Sequence, residues 1–391
     1  MRIAEKTKFP IDRIRVGIAP NSFAPSKTPR SKRVGFSKSV PPGQIDNRFQ
    51  AVLVLTQSTP SDATDSARIF FQASVVLFLA ALLFAFHPLA AGAQGAQTSA
   101  PEKIIIDTDI GDDIDDAFAI ALALESPEVQ ILGVTTTFGD TAERAKLVDR
   151  FLAEDSRADI PVGVGNPTPI KSNFSQRQYA DASSYPNRPH SPAVDLIIAR
   201  INQYPGQITL VAIGPLVNVG QLIDKDLVTF RKLKRVVLMG GSVERGYGDP
   251  YAPPTPPEPE WNIINDIPGA QKLFASGVPI YMMPLDSTEL KMDETKRDFL
   301  FRQASHLTES LTALYYEWGQ KTPTLFDPMT IAFIDKPDLC PVRPMHIEVD
   351  AKGYTRATDG APNANVCLHS DPEAFFRFYL SRFTSDAKSG H

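Results

Sequence analysis

The chain has 391 residues, 42% hydrophobic and 22% charged, which suits one large α/β domain or two medium ones. A formal net charge of −5 gives no global attraction to nucleic acid or to an anionic membrane. The only cysteines, Cys340 and Cys367, exclude a disulfide scaffold and a cysteine-built zinc site, although the two can pair in an oxidising compartment.

Residues 1–65 are rich in Lys, Arg, Pro and Ser without a sustained apolar period, and read as disordered or as lying upstream of the true start codon. In residues 66–93 the run Ala73 to Phe86 is shorter than the ~20 residues a spanning helix needs. It is closed by His87-Pro88 and followed by the small residues Ala91-Gly92-Ala93, the pattern of a signal peptide with its cleavage site. Secretion or a periplasmic location follows from that reading. Left uncleaved, the run Ala73 to Phe86 would instead anchor the protein in a membrane, and a cytoplasmic enzyme is the remaining alternative.

From residue 101 to 386 the pattern becomes that of a catalytic domain. The runs KIIID, VQILGVT, IPVGV, ITLVAIG, RVVLMGG and VPIYMMP are short and β-branched, each followed by a helical stretch. Such alternation predicts an α/β fold with a mostly parallel, Rossmann-like central sheet flanked by helices. MHIEVD, YTRAT and NVCLH predict antiparallel additions near the C-terminus, before a last helix from Asp371 to Phe383. Ligands of such sheets sit beyond the carboxyl ends of the strands.

Directly after the first predicted strand come Asp107, Asp109, Asp112, Asp113, Asp115 and Asp116, with Gly111 among them. Six carboxylates within ten residues repel one another unless a cation or solvent separates them. Their position between a buried-looking strand and an apolar helix favours a site for a hard cation, Ca²⁺ ahead of Mg²⁺, over a solvated acidic loop. An EF-hand beginning at Asp107 is excluded, because it would need Gly and Glu where Asp112 and Phe118 stand. A metal-dependent phosphatase with the same Asp-x-Asp start remains an alternative.

The segment Asp107-Thr-Asp109-Ile-Gly111 followed by Asp115-Asp116-Ala117 resembles the opening motif of the inosine–uridine nucleoside hydrolase family, with two additional residues between its halves. Gly133 to Asp140, Gly214-Pro-Leu-Val-Asn218, Met239-Gly-Gly, Glu260-Trp-Asn262 and Asp327-Pro328 resemble its later landmarks, in the same order. The resemblance implies metal-dependent hydrolysis of the N-glycosidic bond of ribonucleosides. It implies Asp109, Asp116, Asp327 and the carbonyl of Val217 as calcium ligands, with Asp109 also the general base. Asp115, Asp140, Met239, Glu260 and Asn262 are implied as sugar contacts. The additional residues leave Asp112 or Asp113 as possible replacements in the ligand set. A small-molecule ribonucleoside is the expected partner, nucleic acid is not, and a homo-oligomer stays open; a non-catalytic secreted protein that binds nucleoside or ribose remains an alternative.

Two departures concern the leaving base. Many family members carry a histidine before the late Asp-Pro, where this chain has Phe326; Tyr247 stands where the family has an asparagine. Tyr315, Tyr316 and Trp318 are candidates to stack on a base. His190, in a loop rich in Tyr, Asn and Pro, is a candidate to close over substrate.

Overall fold

The computed structural model describes residues 100–169, 173–181, 188–248 and 252–384. The residues read as a disordered start and as a signal peptide or anchor lie outside them, as does much of the loop before His190. Among the described residues, no helix is long and apolar enough to cross a membrane.

Ten strands form one sheet: β1 (Glu102–Thr108), β2 (Val129–Thr136), β3 (Val162–Val164), β4 (Ser191–Pro192), β5 (Ile208–Ala212), β6 (Arg235–Met239), β7 (Ile280–Met283), β8 (Arg343–Val349), β9 (Thr355–Thr358) and β10 (Ala364–Val366). Their order is β4-β3-β2-β1-β5-β6-β7-β10-β8-β9. The first eight in that order run parallel, whereas β8 pairs antiparallel with both β10 and β9. NVCLH, expected as a purely antiparallel addition, therefore also extends the parallel sheet along β7.

Period-2 alternation explains the layers. In β1, Ile104 and Ile106 join one apolar cluster while Ile105 joins the other; Val237 and Met239 alternate with Val236 and Leu238 in β6. Both faces are buried, so the strands read as continuous β-branched runs. Each fully buried Ile or Leu contributes about 1.5–3 kcal/mol relative to exposure.

The helices that position the site are α1 (Asp115–Leu124), α2 (Thr141–Glu154), α3 (Arg177–Ala180), α4 (Ala193–Gln203), α5 (Val217–Phe230), α6 (Trp261–Ile264), α7 (Ile267–Ala275), α8 (Leu285–Thr288), α9 (Glu294–Phe301), α10 (His306–Trp318) and α11 (Pro328–Asp335). The predicted terminal helix is α12, Pro372–Ser381, capped by Asp371, whose side chain accepts from Glu373 and Ala374. Chain direction changes side at β1, whose neighbours are β2 and β5, and the crevice at such a switch point opens at the carboxyl ends of the strands. Cys340 and Cys367 are buried and joined by a disulfide, as the sequence allowed.

Candidate active site

The β1–α1 connection folds as a tight loop rather than a solvated run. Gly111 adopts φ 121°, and a Cβ there would lie 1.8 Å from the Phe174 ring, so glycine is required twice over. Gly214, just after β5, also makes a close approach. A Cβ on it would stand 2.8 Å from the Asp109 nitrogen and 2.9 Å from Asp109 Oδ1. The Gly-Pro-Leu turn is thus small where it abuts the acidic loop.

Asp115 and Asp116 occupy the first turn of α1, where the helix dipole favours negative charge. Helix α11 packs on α1 and carries Asp327 to the same place. Asp327 sits at the N-cap position before Pro328 but makes no side-chain capping bond. Its backbone N–H donates to Asp115 Oδ2 at 3.4 Å. Asp115, Asp116 and Asp327 are all buried, and each can offer a carboxylate oxygen within 4.8 Å of the others. Thr108 Oγ1 donates to Asp116 Oδ1.

These carboxylates form the floor of a cavity of about 370 Å³. Asp109, Asp112, Asp113 and Glu260 add to it, and no Lys, Arg or His is among the described residues that line it. Burial, then the charges of Asp113 and Asp109, pushes the Asp115 carboxyl well above the ordinary range. Burial does the same to Asp116 and Asp327, whose nearest acids reinforce it. Asp109 is also raised by burial, with Arg144 opposing. Beneath the loop, burial lifts Asp107 to about 7, although Thr135 and Asn218 donate to it at 2.6 and 2.7 Å. Buried like charges of this density, presented as hard oxygen donors, fit a divalent cation.

Glu260, Asn262 and Met239, expected as sugar contacts, line the same cavity. Glu260 caps α6, accepting from Asn262, Ile263 and Gly241 nitrogens, and still lines the cavity; burial raises it to about 7. Asn262 Nδ2 donates to the carbonyls of Ile213 at 3.2 Å and Met239 at 3.1 Å. Trp261 Nε1 donates to Asp109 Oδ2 at 3.3 Å.

Three candidate residues lie outside the lining of this cavity. Asp140 caps α2 by accepting from Glu143 N and lines a smaller neighbouring cavity of about 190 Å³, which shares Asp112 and Asn173 with the first. Val217 opens α5 outside the cavity wall; Ile213, just after β5, is the residue of that connection that lines it. His190 bonds the Asp149 carboxylate of α2 at 2.8 Å and does not line the cavity. Of the three aromatic candidates in α10, Trp318 lines the cavity, whereas Tyr316 is 74% exposed and Tyr315 packs on Phe301.

Tyr247, Trp261, Trp318 and Phe326 give the cavity an aromatic wall. Tyr247 and Phe326 meet edge to face at 5.9 Å, and the Trp261 nitrogen donates to the Tyr247 hydroxyl at 3.0 Å. Tyr247 was legible only as a departure from a motif, eight residues after Met239. Asn173 and Gln320 also line the cavity, and nothing in the local sequence singled them out.

Residues 104–377 match the family model described as inosine-uridine preferring nucleoside hydrolase. The chain belongs to that family. As a nucleoside hydrolase it cleaves ribonucleoside N-glycosyl bonds, and the family is metal-dependent. The pyrimidine-specific ribonucleoside hydrolase RihA of Citrobacter koseri is 31% identical over 314 residues, covering 71% of this chain and 97% of that protein. The RihA of Salmonella arizonae is 32% identical over 311 residues, with the same coverages. Among solved structures, the plant nucleoside hydrolase PpNRh1 is 27% identical with a TM-score of 0.64, covering 73% of this chain and 99% of that one. A purine-preferring ribonucleoside hydrolase from Gardnerella vaginalis shares the fold at 23% identity and a TM-score of 0.62, covering 74% of this chain and all of that one.

Proposed function

We propose that this nucleoside hydrolase uses a single calcium ion at the acidic floor, held by Asp115, Asp116 and Asp327 with Asp109 as a fourth carboxylate beside them. The observation that carries this is the meeting of Asp115, Asp116 and Asp327 from two packed helices, all buried, in a cavity lined by seven carboxylates and no cationic side chain among the described residues. Asp116 and Asp327 are retained from the resemblance; Asp115 moves from sugar contact toward the ligand group because of its distance to them. When bound, calcium supplies a fixed point for two vicinal ribose hydroxyls and lowers the pKa of an adjacent water.

The chain's own groups do the rest. Asp109 takes a proton from the attacking water as general base, oriented by the Trp261 indole on its Oδ2. Departure of the base leaves positive charge on the ribose ring, which the surrounding carboxylates stabilise electrostatically. Glu260 and Asn262 hold the sugar hydroxyls, with Met239 against its face. Tyr247, Phe326 and Trp318 form the wall for the base, offering stacking area rather than an imidazole acid. Such a wall offers stacking area to a pyrimidine and to a purine alike.

We place the enzyme outside the cytoplasm. The signal-peptide pattern before residue 94 and the Cys340–Cys367 disulfide support this. Mass spectrometry of protein from its native host should find a mature N-terminus near Gln94, and an intact leader would refute export by cleavage.

The deciding experiment is a screen of ribonucleosides for released base and free ribose, with chelator and then with calcium or magnesium restored. Base release that stops with chelator and returns best with calcium supports the proposal. Phosphate release from nucleotides, or tight nucleoside binding without products, would refute it.

A further inference from the structure

Arg144 of α2 is almost wholly buried, with 2% of its side chain exposed. Its donors reach out of the helix into the β1–α1 loop. Nε donates to the Phe138 carbonyl at 2.8 Å; Nη1 donates to the carbonyls of Asp109 and Ile110; Nη2 pairs with Asp112 at 2.8 Å. Ser175 and Gln176 continue the pattern. Gln176 N donates to the Gly111 carbonyl, Ser175 Oγ to that of Asp112, and Gln176 Nε2 to that of Asp113. Five consecutive carbonyls, 109 to 113, are thereby satisfied from outside, so an irregular loop is held as firmly as a regular element.

A second route reaches Asp109 from its other end. Phe138 has φ 60°, a left-handed conformation that a bulky residue seldom adopts without constraint. Arg144 holds its carbonyl, its ring meets Trp261 edge-on at 6.0 Å, and Trp261 donates to the Asp109 carboxylate. One guanidinium thus bears on both the backbone and the carboxylate of the proposed base. It also offsets the charge of Asp112, its partner at 2.8 Å. Lysine would keep the charge but could not span these acceptors, since a single ammonium replaces a planar fork.

We infer that Arg144 is a positioning residue for the hydrolysis, clamping the loop so that Asp109 faces the cation and Asp112 is kept from competing for it. The inference rests on the cation-dependent reading above.

The test compares wild type, Arg144→Lys, Asp112→Asn and the double variant by three readouts. These are the terbium-binding midpoint followed by luminescence sensitised by Trp261 and Trp318, kcat and KM for p-nitrophenyl riboside, and melting of the chelator-treated protein. Arg144→Lys should melt cooperatively, bind terbium at least about tenfold more weakly and lose about tenfold or more in kcat, with KM moved far less. Asp112→Asn should weaken terbium binding by about threefold, and should add nothing in the Arg144→Lys background, because both changes break one contact. A lower melting temperature with unchanged terbium midpoint and kcat would reduce Arg144 to a structural role and overturn the inference. Additive effects, or complete loss of terbium binding in Asp112→Asn, would overturn it by making Asp112 a ligand. Should Arg144→Lys not fold, Asp112→Asn alone decides, and an unchanged midpoint overturns the clamp. Wild type that binds no terbium sinks the cation reading and the clamp together; wild type and Arg144→Lys binding equally sinks the clamp alone.

Discussion

The floor and the wall of the cavity are built in opposite ways. The floor comes mostly from one short segment, Asp109 to Asp116, completed by two distant residues, Glu260 and Asp327. The wall is assembled from Tyr247, Trp261, Trp318 and Phe326, which lie in separate connections and helix ends. Chemistry that needs dense charge can be encoded locally, because a strand-to-helix turn already converges several side chains. A surface that needs only apolar area can draw on whatever elements pack nearby, and so differs more easily between relatives.

That contrast predicts where substitutions hurt most. Asp109→Asn should lower kcat by about 100- to 10,000-fold, the range a general base contributes. Asp327→Ala should weaken both metal and ribose binding, read by terbium titration and by KM. Full activity in either variant would show that the floor has been misassigned.

The wall should govern the leaving group instead. With Phe326 in place of an imidazole acid, p-nitrophenyl riboside should be cleaved at least about 100-fold faster than inosine or uridine, because its leaving group needs little protonation. Phe326→His should narrow that gap by about tenfold, less than a fully oriented acid would contribute. Equal rates in the wild type would mean that another acid serves the base, and Tyr247→Phe would then test the Tyr247 hydroxyl first.

The floor should also be pH-sensitive when empty of cation. Burial raises Asp107 and Glu260 to about 7, and Asp115, Asp116 and Asp327 well above the ordinary range. A carboxyl raised in this way binds more protons folded than unfolded, so its contribution to stability falls as pH rises. For Asp107 and Glu260 it is complete below the unfolded value of about 4 and lost as pH climbs through about 7. Chelator-treated protein should therefore melt higher at about pH 5 than at about pH 8, and calcium should shrink the difference by replacing the protons. A melting temperature independent of pH in chelator would contradict this picture of the floor. The smallest effect belongs to His190→Ala, which should leave natural and artificial substrates alike untouched, since its ring is tied to Asp149. A rate loss confined to the natural substrate would return His190 to the wall.

Much of this was legible in the residues themselves. The β-branched runs and the helices between them specified a parallel sheet because burial on both faces leaves that imprint on composition. The acidic turn announced itself because so many carboxylates after a buried strand demand a counter-charge. Glu260, Asn262 and Met239 were placed by motif, and each does line the cavity. Asp140 and Val217 were placed by motif as well, and His190 by the composition of its loop, and none of the three lines that cavity. Whether a side chain reaches a cavity depends on the direction its element gives it, which sequence spacing does not encode.

By itself, then, the sequence determined the layered α/β class, the acidic loop at the end of the first strand and the family's reaction, all properties written in local periodicity and in contiguous motifs. The tertiary structure alone decided that Asp115 groups with Asp116 and Asp327, that Tyr247 faces Phe326, and that Arg144 holds the loop from a neighbouring helix. Each of those depends on how two separate elements pack, and packing is settled by the fit of whole surfaces rather than by any one stretch of chain.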